Sequence, residues 1–146
     1  GSSITSITGG AGVRAIGDQS LSGVNLQSFP FGNGITTIGI ESFRNTKLVS
    51  APIPCGVSSI GTNGFQSIST LTSVQLCADT GTASSNFTMG ASAFGGNTNL
   101  KTFSFGNTLA TTVKVTTWND DTTTTRTPSS ARHRRAAPTG RRHGPR

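Results

Sequence analysis

Apolar residues recur between residues 4 and 105 in a fixed two-part pattern. One part reads Leu-x-x-Val-x-Leu, as in LTSVQL at 71–76, and the other reads Val-x-x-Ile-Gly-x-x-x-Phe, as in VSSIGTNGF at 57–65. The Ile-Gly pair begins at residues 16, 38 and 60, two equal steps of 22. Because residues two apart share one face of a strand, the first part predicts a short strand with one buried face.

Four copies of the pattern predict a stack of similar coils. The step from the third copy to the fourth is seven residues longer because of an insert, CADTGTASSNFT at 77–88, and the third copy has one extra residue within 66–70. One unit cannot bury its apolar side alone, so stacking is needed, with the strands aligned in a parallel sheet along one side. A Greek-key or sandwich protein with accidental spacing is the alternative. The copies span Val13–Leu21 with Leu26–Phe31, Ile35–Phe43 with Leu48–Ile53, Val57–Phe65 with Leu71–Leu76, and Met89–Phe94 with Leu100–Phe105.

At these residues the chain resembles the BspA-type leucine-rich repeats, whose units read V-x-x-I-G-x-x-A-F. The resemblance covers residues 4–105 and implies a leucine-rich-repeat solenoid. It also implies a surface or secreted protein that adheres to other proteins or cells, so the expected location is extracellular or at the cell surface. Only Ala93-Phe94 keeps the family's Ala, Leu21 replaces Phe in the first copy, and no copy keeps the Cys that often follows.

Composition divides the chain into two regions. Hydrophobic residues make up 32%, and the net charge is +7, but that charge is concentrated near one end. Residues 1–118 carry five Lys or Arg and three Asp or Glu, whereas 119–146 carry seven Arg and two Asp. We therefore predict a mainly β or α/β solenoid of about four to five coils over 1–118. The Thr/Pro/Arg-rich segment 119–146 has too few apolar side chains to fold and is predicted to be disordered.

Three interpretations of the basic tail remain open. It is a linker, a sequence under little selection, or an arm that binds nucleic acid or acidic glycans through clustered arginines. The arm supports an alternative function, an intracellular scaffold or nucleic-acid-associated protein. The chain has no run of about 18 apolar residues, so no membrane span is expected.

The residue types needed for catalysis or metal binding are scarce. General acid–base chemistry uses His or paired carboxylates, and residues 1–118 contain three carboxylates and no His. Asp18 and Glu41 are interpreted as solvated surface groups. A structural zinc site uses four Cys or His ligands, but only Cys55 and Cys77 are present outside the tail. We therefore expect no enzyme activity, no cofactor and no metal.

Two covalent features are possible. Cys55 and Cys77 are one period apart, which suits a disulfide between neighbouring coils. The extra residue in the third copy shifts their register, so a pair of reduced thiols is the other interpretation. Asn86-Phe87-Thr88 is an N-glycosylation sequon, which has meaning only in a secreted eukaryotic protein.

Any ligand is expected to contact the outward residues of the predicted strands. These residues form a nearly uncharged strip, and extended solenoid faces of this kind bind proteins. A solvated face without a partner is the alternative. The candidate positions are Gln27, Pro30, Val49, Pro52, Thr72, Gln75, Lys101 and Ser104.

Overall fold

The protein is a parallel β-solenoid in a computed structural model, which describes residues 3–79 and 87–106 and the backbone of 114–115. After the first two strands, which belong to the same sheet, consecutive strands alternate between two sheets, so the chain winds once around the core in each repeat. No helix occurs in these described ranges, so the mainly β form of the predicted fold is confirmed. The strands are β1 (Ala15–Ile16), β2 (Thr37–Ile38), β3 (Ser50–Ile53), β4 (Ser59–Ile60), β5 (Ser73–Leu76), β6 (Thr88–Met89), β7 (Thr102–Phe105) and β8 (Lys114–Val115).

Both sheets are parallel, and only one of them was predicted. The Leu-x-x-Val-x-Leu segments form the sheet β3-β5-β7, as expected. The Ile-Gly segments form a second sheet, β1-β2-β4-β6-β8, from strands of two residues each. Strands this short leave no period-two alternation in the sequence, which is why the pattern did not reveal them.

The predicted register holds across the insert. Ile16 pairs with Ile38, Ile38 with Ile60, and Ile60 with Met89, so the displaced fourth copy stacks like the others. The insert begins after β5 and ends at β6. Phe87, the last insert residue before β6, is buried at 8% exposure, which the sequence did not indicate.

An aromatic column fills the core. Phe43, Phe65 and Phe94 occupy the same position in successive coils and are at most 2% exposed. The rings of Phe43 and Phe65 stack with centroids 4.9 Å apart, and those of Phe65 and Phe94 stack at 5.0 Å. This position of the repeat therefore fills the core in three successive coils.

Glycine allows the second sheet to pack closely. A Cβ added to Gly61 would lie 2.5 Å from the backbone nitrogen of Ile40 in the preceding coil, and one at Gly90 would lie still closer to the nitrogen of Thr62. Distances this short are impossible for a side chain, so glycine is required for the coils to stack. Gly17 lies in the first described coil. A Cβ added there would have only Ser20 Cβ nearby, at 4.0 Å.

Candidate ligand-binding face

The outward residues of β3, β5 and β7 form two columns across the sheet. Backbone pairing places each residue beside its counterpart in the next strand, and neighbouring strands lie about 4.8 Å apart. Outward residues alternate with buried ones such as Ala51 and Val74, each 1% exposed. One column consists of Ser50, Ser73 and Thr102, and the other of Pro52, Gln75 and Ser104.

A third column lies where the chain enters these strands. The backbone N–H of Val49 donates to the carbonyl of Gln27 at 3.3 Å, and that of Thr72 donates to the carbonyl of Val49 at 2.9 Å. Lys101 continues the series, because its backbone N–H donates to the carbonyl of Thr72 at 2.9 Å. Hydrogen bonding therefore fixes the spacing of these side chains, although none of them belongs to the core.

We call these three columns, together with Pro30, the outer strand face. Seven of the eight residues singled out in the sequence belong to the columns, and Pro30 is added from the sequence prediction alone. Thr72 and Ser104 are half-buried, and the other six are exposed, including Val49 at 51%. The column formed by Ser50, Ser73 and Thr102 was missed, although strand alternation places each of them beside a buried residue.

The two strand columns border a shallow depression of about 320 Å³. Its polar lining consists of hydroxyl groups and the Gln75 amide. Lys101 is the one charged residue among those assigned to this face. The surface therefore offers hydrogen-bond donors and acceptors with little charge. Its lining residues are Ser50, Ala51, Pro52, Ser73, Val74, Gln75, Thr102 and Ser104.

The carboxylates of the described coils connect one coil to another. Asp18 Oδ1 accepts a hydrogen bond of 2.8 Å from the backbone nitrogen of Ile40, one coil further on. Asp79 Oδ1 accepts one of 2.7 Å from the nitrogen of Cys55. Each of these two carboxylates accepts a hydrogen bond from a backbone N–H of another coil. This structural role accounts for the position of both residues.

Glu41 is less solvated than the sequence suggested. Its side chain is 22% exposed and pairs with Arg44 at 3.1 Å. Gln19 Nε2 from the coil before and Asn63 Nδ2 from the coil after donate to its two oxygens at 3.3 and 3.4 Å. Because Gln19, Glu41 and Asn63 are equivalent positions of the repeat, this ladder joins three coils.

The two cysteines lie together and are joined as a disulfide. Cys55 follows β3 and Cys77 follows β5, so the bond connects two successive coils. Cys55, Cys77 and Asp79 form the one cluster of three potential metal ligands in the described ranges. Metals bind a cysteine as the thiolate, and a disulfide sulfur is not a thiolate. In the disulfide form, the two cysteines of this cluster therefore link two coils covalently.

Two sequence predictions concern residues beyond the described ranges. Asn86 of the sequon and the whole of 119–146 are outside them. Beyond residue 106 the structure describes only the backbone of β8, which pairs with β6. Within the described part, no helix is long and apolar enough to cross a membrane.

Two parallel sheets wound around one core, with one strand of each sheet in every full coil, define a β-solenoid repeat protein. Residues 1–121 match, in six copies, the model of the family described as "BspA type Leucine rich repeat region". The chain therefore belongs to this family, and the resemblance seen in the sequence is confirmed. No curated protein and no solved structure matches the chain. Leucine-rich repeats of this family are protein-binding and generally non-enzymatic.

Proposed function

We propose that this chain is an adhesion or ligand-binding domain that acts outside the cell or on its surface and binds proteins through the outer strand face. The observation that carries the proposal is the register of three columns of accessible side chains. Backbone hydrogen bonds fix the positions of these residues, and their side chains contribute little to the core. A rigid surface of this kind loses little conformational entropy when it binds a partner.

The composition of the face suits a protein partner of low charge. The centres of protein interfaces are depleted in charged residues, and the outer strand face carries Lys101 only at one end. The exposed side chain of Val49 supplies apolar area beside the hydroxyl columns. The disulfide supports an extracellular location, because such bonds persist in oxidising compartments.

The test places charges on the face without removing any buried group. Thr72→Glu with Gln75→Arg introduces two opposite charges in two of the three columns. Immobilised extracellular-matrix proteins and intact cells serve as probes, and bound protein is quantified. We expect binding by the wild-type chain to fall about tenfold or more in the variant, since unpaired charges are costly to desolvate.

A matched control places the same charges on the other sheet. Ala15 and Thr88 are exposed on β1 and β6, so Ala15→Glu with Thr88→Arg leaves the net charge equal to that of the test variant. This control should bind like the wild type. Equal binding by all three proteins would exclude the outer strand face, and equal loss in both variants would indicate a non-specific charge effect.

A further inference from the structure

Two Asn-Gly pairs in the described coils have the same intrinsic chemistry. They are Asn33-Gly34 and Asn63-Gly64. Asn before Gly is labile because the Gly nitrogen, unhindered by any side chain on its own residue, can reach the side-chain carbonyl carbon of the Asn. Glycine also adopts the backbone conformations that this attack requires. Any difference between the two pairs must therefore come from the fold.

The fold holds Asn63-Gly64 in an unreactive arrangement. Asn63 Nδ2 donates to Glu41 Oε1 at 3.4 Å, which fixes the amide within the inter-coil ladder. The nitrogen of Gly64 donates to the carbonyl of Gly61 at 3.1 Å, and Gly64 is buried. Attack requires both hydrogen bonds to break, and each should slow the reaction by about fivefold.

Asn33-Gly34 lies in a turn without these restraints. Asn33 is exposed, and neither its side chain nor the Gly34 nitrogen makes a hydrogen bond within the described residues. The turn borders an open hollow of about 440 Å³ that admits water. The glycines at 32 and 34 can adopt backbone conformations that other residues seldom reach.

Arg14 adds a charge beside the reacting atoms. A Cβ placed on Gly34 would lie 3.1 Å from Arg14 Nη1, so the guanidinium rests against this glycine. Positive charge here stabilises the deprotonated Gly34 nitrogen that attacks and the carboxylate that is finally formed. Since Arg14 is exposed, solvent and salt screen much of this effect.

We propose that Asn33 is a site of spontaneous deamidation, which converts a neutral turn into an acidic one beside Arg14. Hydroxide removes the Gly34 amide proton, and the nitrogen bonds to Asn33 Cγ. The bond from Cγ to the side-chain nitrogen breaks, and ammonia leaves with a proton from water. Water then opens the cyclic imide at either carbonyl and gives aspartate or isoaspartate. The net change is addition of one water and loss of one ammonia.

The experiment follows both sites in one sample. The folded protein is incubated at mildly alkaline pH, reduced and alkylated at intervals, cleaved after Lys and Arg, and measured by mass spectrometry. Asn33 and Asn63 fall in different peptides, 15–44 and 48–101. We expect Asn33 to react about 25-fold faster than Asn63, the product of the two factors of about five given by the hydrogen bonds that protect Asn63. In denaturant the two rates should agree within about threefold, because the protecting contacts are absent.

Two variants identify the reacting groups. Asn33→Gln should abolish the mass change in peptide 15–44. Arg14→Gln removes one cleavage site, so Asn33 of this variant is followed in peptide 1–44, where the mass change should be slowed by about twofold, as suits an exposed charge. Equal rates at the two sites in the folded protein would overturn the proposal. It would also fail if peptide 15–44 reacted only in denaturant, or if Asn33→Gln left its mass change intact.

Discussion

The two sides of the solenoid tolerate change very differently. On the outer strand face, contact between coils is made by backbone hydrogen bonds, and the side chains point away from them. On the opposite side, which we call the glycine side after Gly17, Gly39, Gly61 and Gly90, the backbones of successive coils touch directly. One side is therefore available for recognition, while the other is committed to stacking.

The contrast also explains where unusual backbone conformations occur. In the turns of the glycine side, Gln19, Glu41, Asn63 and Ser92 adopt positive φ angles between 50° and 57°. Non-glycine residues seldom do so. The conformation recurs at the same position of four coils, so it is set by the repeat, and the inter-coil ladder at Glu41 forms on three of these residues.

The largest predicted effect comes from adding one methyl group to the glycine side. In Gly61→Ala, the new Cβ would lie within 2.8 Å of three backbone atoms of the preceding coil. Those atoms belong to Gly39 and Ile40, whose backbone nitrogens are hydrogen-bonded to the coil before. They cannot move independently, so we expect a loss of about 3 kcal/mol or more in the free energy of unfolding. Chemical denaturation measures it.

Gly17→Ala is the matched control, because only Ser20 Cβ lies within 4 Å of the added atom. Here the substitution should be neutral or stabilising by up to about 1 kcal/mol, since alanine restricts the unfolded chain. If both variants lost stability equally, close backbone contact would not be the cause.

Breaking the disulfide should have the next largest effect. Cys55 and Cys77 close a loop between the coils that contain β3 and β5. Cys55→Ala with Cys77→Ala should lower the free energy of unfolding by about 3 kcal/mol, as expected for a loop of this length. Reductant should destabilise the wild type by a similar amount and leave the double variant unaffected. Two reactive thiols in the unreduced wild type would instead favour the reduced interpretation.

A smaller loss is expected at Asn97 on the glycine side. This residue is 7% exposed. Its Oδ1 accepts from the nitrogen of Ile68 at 2.7 Å, and its Nδ2 donates to the carbonyls of Phe65 and Phe94, each at 2.9 Å. Asn97→Ala leaves those groups unpaired, at a cost of about 2 kcal/mol. Thermal and chemical unfolding both report this change.

Asn99 provides the comparison for Asn97. It donates to the carbonyl of Ser69 at 2.7 Å but is exposed. Water can replace that bond, so Asn99→Ala should cost less than about 1 kcal/mol. A larger loss of stability at Asn99 than at Asn97 would show that burial does not decide how much these asparagine hydrogen bonds contribute.

The smallest effect on stability is predicted for the outer strand face. Thr72→Glu with Gln75→Arg changes two outward side chains and removes one weak bond, from Thr72 Oγ1 to the carbonyl of Val49 at 3.1 Å. We expect the free energy of unfolding to change by no more than about 0.5 kcal/mol. A loss near that of Gly61→Ala would remove the distinction between the two sides and make the binding test uninterpretable.

Much of the stacking could be predicted from the constant length of the repeat. Ile16, Ile38 and Ile60 recur at a fixed step, and a step of one coil places equivalent residues side by side. The outward direction of Pro52 and Gln75 followed from alternation with buried neighbours. The ladder at Glu41 could not be predicted, because a polar side chain in a turn gives no periodic signal.

The insert marks another limit of the sequence pattern. Its length showed where the repeat is interrupted, but not that Phe87 returns to the core. The cysteines are a similar case. Counting residues placed Cys55 and Cys77 out of register, since Ile53 pairs with Leu76. The two residues are nevertheless joined as a disulfide, and Cys77 adopts a positive φ of 58°, which the sequence did not indicate.

The sequence by itself determined the coil: its length, most of its core positions, part of its outward strand residues and its family. These depend on interactions between equivalent residues, which a repeat encodes directly. Only the tertiary structure decided the second sheet, the disulfide, and the difference between Asn33 and Asn63. Each depends on how non-equivalent groups approach in space. That approach is set by the turns, whose conformation comes from the packing of whole coils rather than from local pattern.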